Sequence, residues 1–567
     1  MRHLRWQAII AILSLLLITS LLAGQSRSAA PITFEPSQGG IYTEAMVGSP
    51  RWLNPLLDQA NPVDRDIDRL IFSGLTRFDA YGRPEPDMAH WIVSADQLTY
   101  QFILKPQLQW HDGEPLTADD VAFTLGLLQD PAYPGPADIG KLWQSVKVKV
   151  VSPQVIELTL PEPFAPFLDY TSVGLLPKHL LGNATAATLS QQQAFNQKPV
   201  GSGPFVFGHW LRAEGSSRGG LVLNAFADYY EPVPKLDQVQ FNFYADAAAA
   251  FAAYKDGKVT GISRVEEPQL AEALKMPELG IYTSQLPEYS LIFLNLRDDA
   301  LPFFKDKRVR QAMLASVNRE AIVADVLKGQ AIVANSPVLP GSWAYNPDLP
   351  VAAYNPGEAV NLLASAGWVL PEGAVAGTPS YVRQKDGVAF QFTLIAPDDP
   401  THKAVAASAQ ATWSALGISV TVSAVDPTTL QSQFLAARAF QALLTDLNLS
   451  GTPDPDPYPL WHETQIESGQ NYGGFSDRLT SEYLEQARIT LDIEARARRY
   501  QAFQSRFADQ VPALLLYYPV YNYAVDTKVM GIQVGLLTEP SDRFNNISDW
   551  YLATKRVNPT PPTTPTP

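Results

Sequence analysis

The chain has 567 residues, of which 46% are hydrophobic, and its 42 Lys+Arg against 57 Asp+Glu give a net charge of −15. This is the composition of a globular chain with several domains, and the acidic balance excludes a nucleic-acid binder, which needs a basic face. Cysteine is absent, which excludes disulfides, thiolate metal sites, iron–sulfur clusters and thiol nucleophiles.

The N-terminus has the pattern of an export segment. Arg2 and Arg5 precede an uncharged run from Trp6 to Ala23, and small residues follow up to Ala30. This pattern predicts that residues 1–30 are a signal peptide cleaved after Ala30, or an uncleaved N-terminal anchor. In either case the positive-inside rule places the rest of the chain in the periplasm or on the outer face of the cell membrane, which is an extracytoplasmic location.

The first half of the body alternates short β-type runs with helical patterns. A capping box at Thr117 and Asp120 predicts the start of a helix, because each residue can satisfy a free N–H of the first turn. Two strands are predicted within residues 148–160, separated at Ser152 and Pro153. Further strands are predicted at residues 41–47, 99–104, 221–225 and 238–244.

The second half continues the α/β pattern. Residues 290–296 form a nearly continuous apolar run, which is typical of a strand buried on both faces. Residues 306–328 are predicted to be helical with a break at Asn318 and an end at Gly329. A strand, a helix and a strand at residues 390–396, 401–416 and 418–425 predict a βαβ unit with parallel strands. A helix over residues 484–508 and a β-type, tyrosine-rich run over residues 513–525 follow. Residues 554–567 are predicted to be a disordered tail rich in Pro and Thr.

Three motifs of catalysis or metal binding are incomplete. His462 and Glu463 begin a zinc-protease HExxH pattern, but Ile466 stands where the second histidine is needed. Asp454 and Asp456 lie in a segment that lacks the third ligand and the glycine of a calcium loop. Residues 215–219 read GxSxG between two strand-like runs, where a hairpin turn is expected instead of a nucleophile elbow. The sequence therefore predicts no catalytic residue, no metal site and no cofactor.

Six segments together resemble the periplasmic solute-binding proteins of ABC importers, family 5, which includes oligopeptide, dipeptide and nickel binders. The segments follow the family's order, the resemblance covers roughly residues 40–550, and Asn54 stands where the family has Asp. Arg308 and Arg310 in the fifth segment are interpreted as helix-surface ion-pairing residues. The segments are RWLNPLLDQ at 51–59, LIFSGLTRFD at 70–79, LQWHDGEPLTADDVAFTL at 108–125, VGSGPFVFGHW at 200–210, FFKDKRVRQAMLASVNREAIV at 303–323 and YNPGEAVNLLASAGW at 354–368.

The resemblance implies an α/β fold of the type II-like periplasmic-binding-protein kind, with two lobes joined by a hinge. Domain I is expected to be discontinuous, at residues 31–60, 200–284 and 525–553, with an inserted domain II at residues 61–199. Domain III is expected at residues 285–524. The crossings between the lobes are expected near residues 289–296 and 515–523, and a ligand that contacts both lobes would close them.

The resemblance also implies a function. We expect an extracytoplasmic solute-binding protein that captures a peptide, or a similar small molecule, and delivers it to an ABC permease with its ATP-binding subunits. It would be associated with the membrane through the N-terminal helix or the permease. Three alternatives remain: a membrane-anchored sensor of the same fold, a binder of oligosaccharides or nickel complexes, and an extracytoplasmic hydrolase.

Candidate ligand residues come from the family pattern and from the aromatic content. Asp446 matches the aspartate that pairs with the ligand ammonium in peptide binders, although it could be a solvated loop residue. Leu443 and Ser73 stand at two family positions that often carry Trp and an acidic residue. Aromatic side chains could line the cleft or simply pack in the core. They are Trp461, Tyr472, Tyr517, Tyr518, Tyr521 and Tyr523.

Overall fold

The computed structural model describes residues 33–212, 218–451 and 454–557. The predicted signal peptide or anchor lies outside these residues, as does the tail beyond residue 557. Residues 554–557, which were assigned to the tail, belong to a strand. Within the described ranges, no helix has the length and apolarity that a membrane span requires.

The strands are numbered in chain order. They are β1 (Thr33–Ser37), β2 (Ile41–Val47), β3 (Thr76–Phe78), β4 (Pro84–Pro86), β5 (Ala89–Val93), β6 (Thr99–Leu104), β7 (Lys147–Ser152), β8 (Val155–Thr159), β9 (Phe205–Arg212), β10 (Arg218–Ala225), β11 (Gln238–Tyr244), β12 (Gly261–Ile262), β13 (Leu279–Gln285), β14 (Glu288–Leu294), β15 (Ala331–Val333), β16 (Gln384–Lys385), β17 (Val388–Ala389), β18 (Gln391–Pro397), β19 (Ser419–Val425), β20 (Ala442–Asn448), β21 (Ala513–Asp526) and β22 (Ala553–Val557).

The helices are identified by their bounds. The α-helices are Pro62–Ile71, Ala118–Gln129, Ala137–Ser145, Lys178–Leu181, Gln193–Gln197, Ala247–Lys255, Glu267–Ala273, Pro302–Lys305, Lys307–Ser316, Arg319–Ala321, Pro356–Ser365, Pro400–Ala415, Pro427–Thr429, Tyr458–Trp461, Arg478–Ile489 and Ile493–Gln510. Shorter 3₁₀ and π turns are Asp58–Ala60, Ala165–Ser172, Ala186–Gln191, Ile322–Val326, Leu430–Leu435, Glu463–Gln465, Pro540–Phe544 and Ile547–Asp549.

One sheet of 12 strands runs through the molecule, in the order β19-β18-β20-β14-β21-β12-β2-β11-β10-β9, with β13 and β15 also paired to β21. The long strand β21 changes partners along its length. Its residues 513–519 pair with β14 and β15, whereas its residues 520–526 pair with β13, and β12 joins at residues 524–525. Because β13 and β14 are separated by only two residues, the chain passes between the two halves of the sheet at this connection and again along β21.

The buried cores divide at the same places. Two clusters of buried residues come from positions 42–286 and 521–550, and two others come from positions 289–518. We call the described residues up to 286 together with those from 520 onward the first lobe, and residues 288–519 the second lobe. The predicted boundary between domains I and II at residues 60–61 runs through one continuous core, and it stays a prediction.

Local sequence signals account for several of these elements. Thr117 begins the helix Ala118–Gln129, and its backbone N–H donates to Asp120 Oδ2 at 2.9 Å, which is one half of the predicted capping box. The βαβ unit has β18 and β19 parallel in adjacent positions, and the helix Pro400–Ala415 connects them. The two strands that flank the GxSxG segment, β9 and β10, are antiparallel neighbours. Residues 213–217 between them lie outside the described residues.

The interpretation of Arg310 as a helix-surface residue is wrong. Arg308 does pair with Asp306 on the surface, at 2.6 Å. Arg310 is buried, and its guanidinium donates to four carbonyl groups at the ends of two helices, those of Phe304, Lys305, Gln510 and Val511. The fixed fork of donors suits several backbone acceptors at once, so this arginine ties two helix ends together.

Candidate functional site

A cavity of about 360 Å³ lies between the two lobes. From the first lobe it is lined by the helix Ala137–Ser145, by Phe164 and Tyr170, and by residues 536–538. The second lobe contributes the end of β20, the segment 337–342 and the loop at residues 454–460. A solute in this interlobe cavity would contact both lobes, which is the condition for a ligand to hold them together.

The cavity has apolar walls with a few polar groups. Leu142, Phe164, Leu339, Leu447 and Leu460 provide apolar surface. Asn448, Ser450 and Gln470 add hydrogen-bonding groups that are neutral. This mixture is typical of small-molecule sites, where apolar area supplies affinity and a few polar groups fix orientation.

The two aspartates of the loop are each neutralised by an arginine. Arg488 Nη2 lies 2.7 Å from Asp456 Oδ2, and the Arg488 guanidinium lies over the ring of Tyr458 at 3.8 Å. Arg496 forms a buried ion pair with Asp454. The loop that resembled a calcium site is therefore held by ion pairs, which fix its position at the wall of the cavity.

The lobes touch directly beside the cavity. The backbone N–H of Asp454 in the second lobe donates to Asp169 Oδ2 in the first lobe at 2.7 Å. Burial raises the pKa of the Asp169 carboxyl well above its ordinary value, and the negative charge of Asp454 raises it further. A second contact joins the lobes where the Arg488 guanidinium lies 5.6 Å from the ring of Phe164.

The structure places Asp446 on the other face of the sheet from the interlobe cavity. His402, on the helix Pro400–Ala415, hydrogen-bonds Asp446 Oδ2 through Nε2 at 3.0 Å. Leu447 and the end residue Asn448 line the cavity, whereas Asp446 shares its face of the strand with Ala442 and Leu444, because successive side chains of a strand point to opposite faces. The role of Asp446 as an ammonium partner stays a prediction, since His402 occupies Oδ2 while Oδ1 is buried without a hydrogen-bond partner among the described residues.

Three other predicted residues lie in or against the core of the second lobe. Leu443 is fully buried on β20. Trp461 is also buried and packs edge-on against Phe507 with ring centroids 4.7 Å apart. Tyr472 is half-buried against Phe293, at a centroid distance of 5.8 Å. These placements give all three side chains a packing role, and their contact with a solute stays a prediction.

The predicted tyrosines of β21 are buried too. Tyr518 donates to the Ser336 carbonyl at 2.6 Å inside the second lobe. In the first lobe, Tyr521 donates to the Ser263 carbonyl, and Tyr523 donates to Glu44 at 2.9 Å. Tyr517 is buried as well. The hydroxyl groups of Tyr518, Tyr521 and Tyr523 each bond within a single lobe, as buried tyrosine hydroxyls usually find internal partners.

Ser73 lies apart from the other predicted residues. It is buried at the end of the helix Pro62–Ile71 and lines a separate groove of about 660 Å³ in the first lobe, with Arg77, Asp87 and Tyr229. The structure therefore does not bring Ser73, Asp446 and the aromatic residues to one site.

The sequence reasoning did not identify most of the cavity wall. The wall residues come from distant parts of the chain, around residues 164–170, 447–448 and 488, and no local pattern links these parts. The proline-rich loop at residues 454–459, which resembles an incomplete calcium loop and follows the segment of Asp446, forms part of the wall.

Known proteins are similar to this chain over most of its length. The family model described as bacterial extracellular solute-binding proteins, family 5, matches residues 83–468. The oligopeptide-binding protein AppA of Bacillus subtilis is 30% identical over 534 residues, which are 93% of this chain and 94% of that protein. The dipeptide-binding protein of Escherichia coli is 25% identical and is covered over 93% of its length, with 88% of this chain.

Solved structures give the same result. AppA in complex with a nonapeptide superposes with a TM-score of 0.66 at 30% identity, covering 92% of this chain and all of AppA. NikZ of Campylobacter jejuni in complex with Ni(L-His) superposes with a TM-score of 0.66 at 28% identity, covering 90% of this chain and 99% of NikZ. These matches confirm the predicted fold class.

Proposed function

The chain belongs to the bacterial extracellular solute-binding proteins of family 5, and on that premise we propose that it binds a peptide between its lobes and delivers it to an ABC permease. The protein is a solute-binding protein, and the relatives named above are binding proteins too. A peptide is the proposed solute because AppA and the Escherichia coli relative are named as peptide binders. The observation that carries the proposal is the interlobe cavity, whose walls come from both lobes.

A free strand edge at this cavity supports an extended ligand. β20 pairs with β18 only as far as Leu443, whereas its pairing with β14 continues to Asn448. Among the described strands, none occupies the β18 side of β20 beyond Leu443. An extended peptide can add to such an edge through its backbone, which would tolerate many side chains.

We further propose that the protein works outside the cytoplasm with an ABC permease and its ATP-binding subunits. The family is extracytoplasmic by its description. Attachment to the cell would come from the segment at residues 1–30 or from the permease itself. N-terminal sequencing of the exported protein tests whether residues 1–30 anchor it. A start near Pro31 indicates a released binder, and an intact N-terminus indicates an anchored one.

The solute is tested by thermal denaturation and small-angle scattering with pools of peptides from two to nine residues. We expect a rise in melting temperature and a decrease in the radius of gyration with at least one pool. The Ni(L-His) complex and oligosaccharides are the comparison solutes. A response to either of these, with none to peptides, would contradict the peptide proposal and leave the family assignment intact.

A further inference from the structure

A second, smaller cavity of about 180 Å³ adjoins the interlobe cavity. Tyr170 and Thr538 are part of the walls of both. The helix Ala137–Ser145 lies between them, with Asp138 and Leu142 lining the interlobe cavity and Ile139 and Trp143 lining the smaller one. We call the smaller one the side cavity. A solute held between the lobes could extend one group into it.

The side cavity is acidic, and its arginines are already paired. Its lining includes two arginines and five carboxylates, which are Asp58, Asp68, Asp169, Glu539 and Asp542. Arg65 Nε lies 3.1 Å from Glu539, and Arg69 Nη2 lies 3.6 Å from Asp542. Asp169 accepts the backbone N–H of Asp454. The charge of Arg65 also lowers the pKa of Asp58, which leaves Asp68 as a wall carboxyl without an ion pair to an arginine in the described part of the chain.

Asp68 provides an independent observation. It lies on the helix Pro62–Ile71 with 3% of its surface exposed, and it lines the side cavity. Neither carboxylate oxygen has a hydrogen bond of normal distance and angle within the described residues, although the backbone N–H of Asn54 is near enough to lower the pKa of Asp68. A buried carboxyl without a partner is costly to the fold. Such a group in a wall indicates that a partner comes from outside the chain.

The carboxylates and the aromatic rings of the side cavity both favour a positively charged partner. Burial raises the pKa of Asp68 well above its ordinary value, and the negative charges of Asp58 and Asp64 raise it further. A cation near these carboxyls would relieve that repulsion. The rings of Tyr133, Trp143 and Tyr170 also line the cavity, and aromatic faces attract ammonium and guanidinium groups.

An organic cation fits the site better than a metal ion. Among the described residues, no three His, Asp or Glu side chains converge as metal ligands would. A cavity of about 180 Å³ also has room for a side chain end and not merely for a bare ion. A flat guanidinium or an ammonium on an alkyl chain would place its charge at Asp68 and its apolar part against the rings.

We propose that the side cavity holds a protonated amine or guanidinium group of the bound solute, with Asp68 as its partner. The inference rests on the proposed function, because it makes the peptide a cationic one. The preference would be for solutes with an arginine or lysine side chain at the position that reaches the side cavity.

Two probe pairs test this. The first pair is n-propylguanidinium chloride and its neutral isostere N-propylurea, added at matched ionic strength and followed by thermal denaturation and calorimetry. The second pair is Ala-Arg-Ala and Ala-citrulline-Ala, which differ in charge and hardly in shape. In the wild-type protein we expect the charged member of each pair to bind about tenfold tighter or more, since a charge-assisted contact in an enclosed site is a strong one.

The variant Asp68→Asn keeps the shape and removes the charge, and the preference should disappear. Asp58→Asn is the second variant, in case the first does not fold, and circular dichroism reports folding. Asp119→Asn, at an exposed position of another helix, is the matched control and should behave like the wild type.

The outcomes separate this inference from the proposed function. If both tripeptides bind equally, and Asp68→Asn changes nothing, the inference is overturned and peptide binding stands. If no peptide binds but n-propylguanidinium binds in an Asp68-dependent manner, the side cavity is supported and the peptide proposal fails. If Ca²⁺ or Mg²⁺ alone gives the Asp68-dependent shift, the site is a metal site and the inference is overturned.

Discussion

His402 and Asp446 are joined by a hydrogen bond of 3.0 Å between Nε2 and Oδ2, at the face of the sheet opposite the interlobe cavity. The other ring nitrogen of His402, Nδ1, lies 2.6 Å from Asp399 Oδ2. One imidazole thus bridges two carboxylates, that of Asp399 at the helix N-cap and that of Asp446 on β20. Burial alone would lower the pKa of His402, but the hydrogen bonds and charges of Asp446 and Asp399 raise it to about 9.

The first prediction concerns the pH dependence of stability through His402. Because its folded pKa lies above the unfolded value of about 6.5, the native state binds more protons, and its stability falls as pH rises from 6.5 to 9. Replacing the residue, His402→Gln, should reduce that fall by an amount on the order of 1–3 kcal/mol. The measurement is the free energy of unfolding in urea at pH 6, 7.5 and 9.5.

The control for this prediction is His90→Gln, at an exposed position of β5. It should leave the pH dependence unchanged. A wild-type stability that stays level between pH 6.5 and 9 would show that the bridge contributes nothing.

The second prediction concerns Glu288, which opens β14. Burial and the charge of Asp446 raise the pKa of Glu288 to about 7, against the weaker opposing influence of Arg264 and His402. A raised folded pKa means that ionisation costs stability as pH rises from about 4.5 to 7. We therefore expect Glu288→Gln to stabilise the protein at pH 8 by about 1–2 kcal/mol and to have little effect at pH 4.

Urea midpoints at pH 4 and pH 8 check this second prediction. Glu278→Gln, at an exposed position just before β13, is the matched control. An equal gain in stability at both pH values would mean that the effect does not come from the charge of Glu288.

The third prediction concerns the buried pair of Arg496 and Asp454. Both side chains are almost fully buried, so Arg496→Met removes the positive charge beside a buried carboxylate. We expect a loss of about 3–5 kcal/mol in the free energy of unfolding. Arg478→Met is the comparison, because Arg478 also pairs with two glutamates but exposes 63% of its side chain, and its loss should be below about 1 kcal/mol. Equal losses for the two variants would show that burial does not set the strength of these pairs.

The fourth prediction concerns contacts between the lobes. Arg488 lies over Phe164 of the opposite lobe at 5.6 Å, and it holds Asp456 at the cavity wall. Removing this side chain, Arg488→Ala, should shift the population toward open lobes and weaken solute binding about tenfold, because the apparent affinity scales with the fraction of binding-competent molecules. The measurements are calorimetry with a peptide that binds the wild type, and the radius of gyration with and without it.

Arg83→Ala provides the control for that prediction. Arg83 also reaches across to the second lobe, where it lies 3.6 Å from Glu494, but both side chains are largely exposed. Such a pair contributes little, and the affinity should stay within about twofold of the wild type. If both variants weaken binding alike, the half-buried position of Arg488 at the cavity wall does not set its contribution.

Local sequence signals predicted the elements because their causes are local. β2 and β6 occupy the predicted residues, and Asp306 and Asn318 begin helices where the sequence placed a start and a break. Caps and alternation depend on neighbouring residues, so one chain is enough to read them. The family motifs then gave the fold.

The site could not be predicted in the same way, because strand faces and cavities depend on distant partners. On β20, Ala442 and Leu444 pack in one core while Leu443 and Leu447 pack in another. Asp446 lies on the same face as Ala442 and Leu444, and a shift of one residue along the strand would place it on the opposite face. Arg310 shows the same limit. It lies within a helix, and nothing in the nearby sequence indicates that its guanidinium binds a carbonyl group about 200 positions away.

Strand β21 serves both lobes, yet it comes after nearly all of their other strands in the chain. Until residue 526 has left the ribosome, or has passed through an export channel, β13 and β14 both lack their shared neighbour. Each half of the sheet therefore completes late, and the two halves complete together. The strand order therefore ties the completion of one lobe to that of the other, because both halves of the sheet require the same late strand.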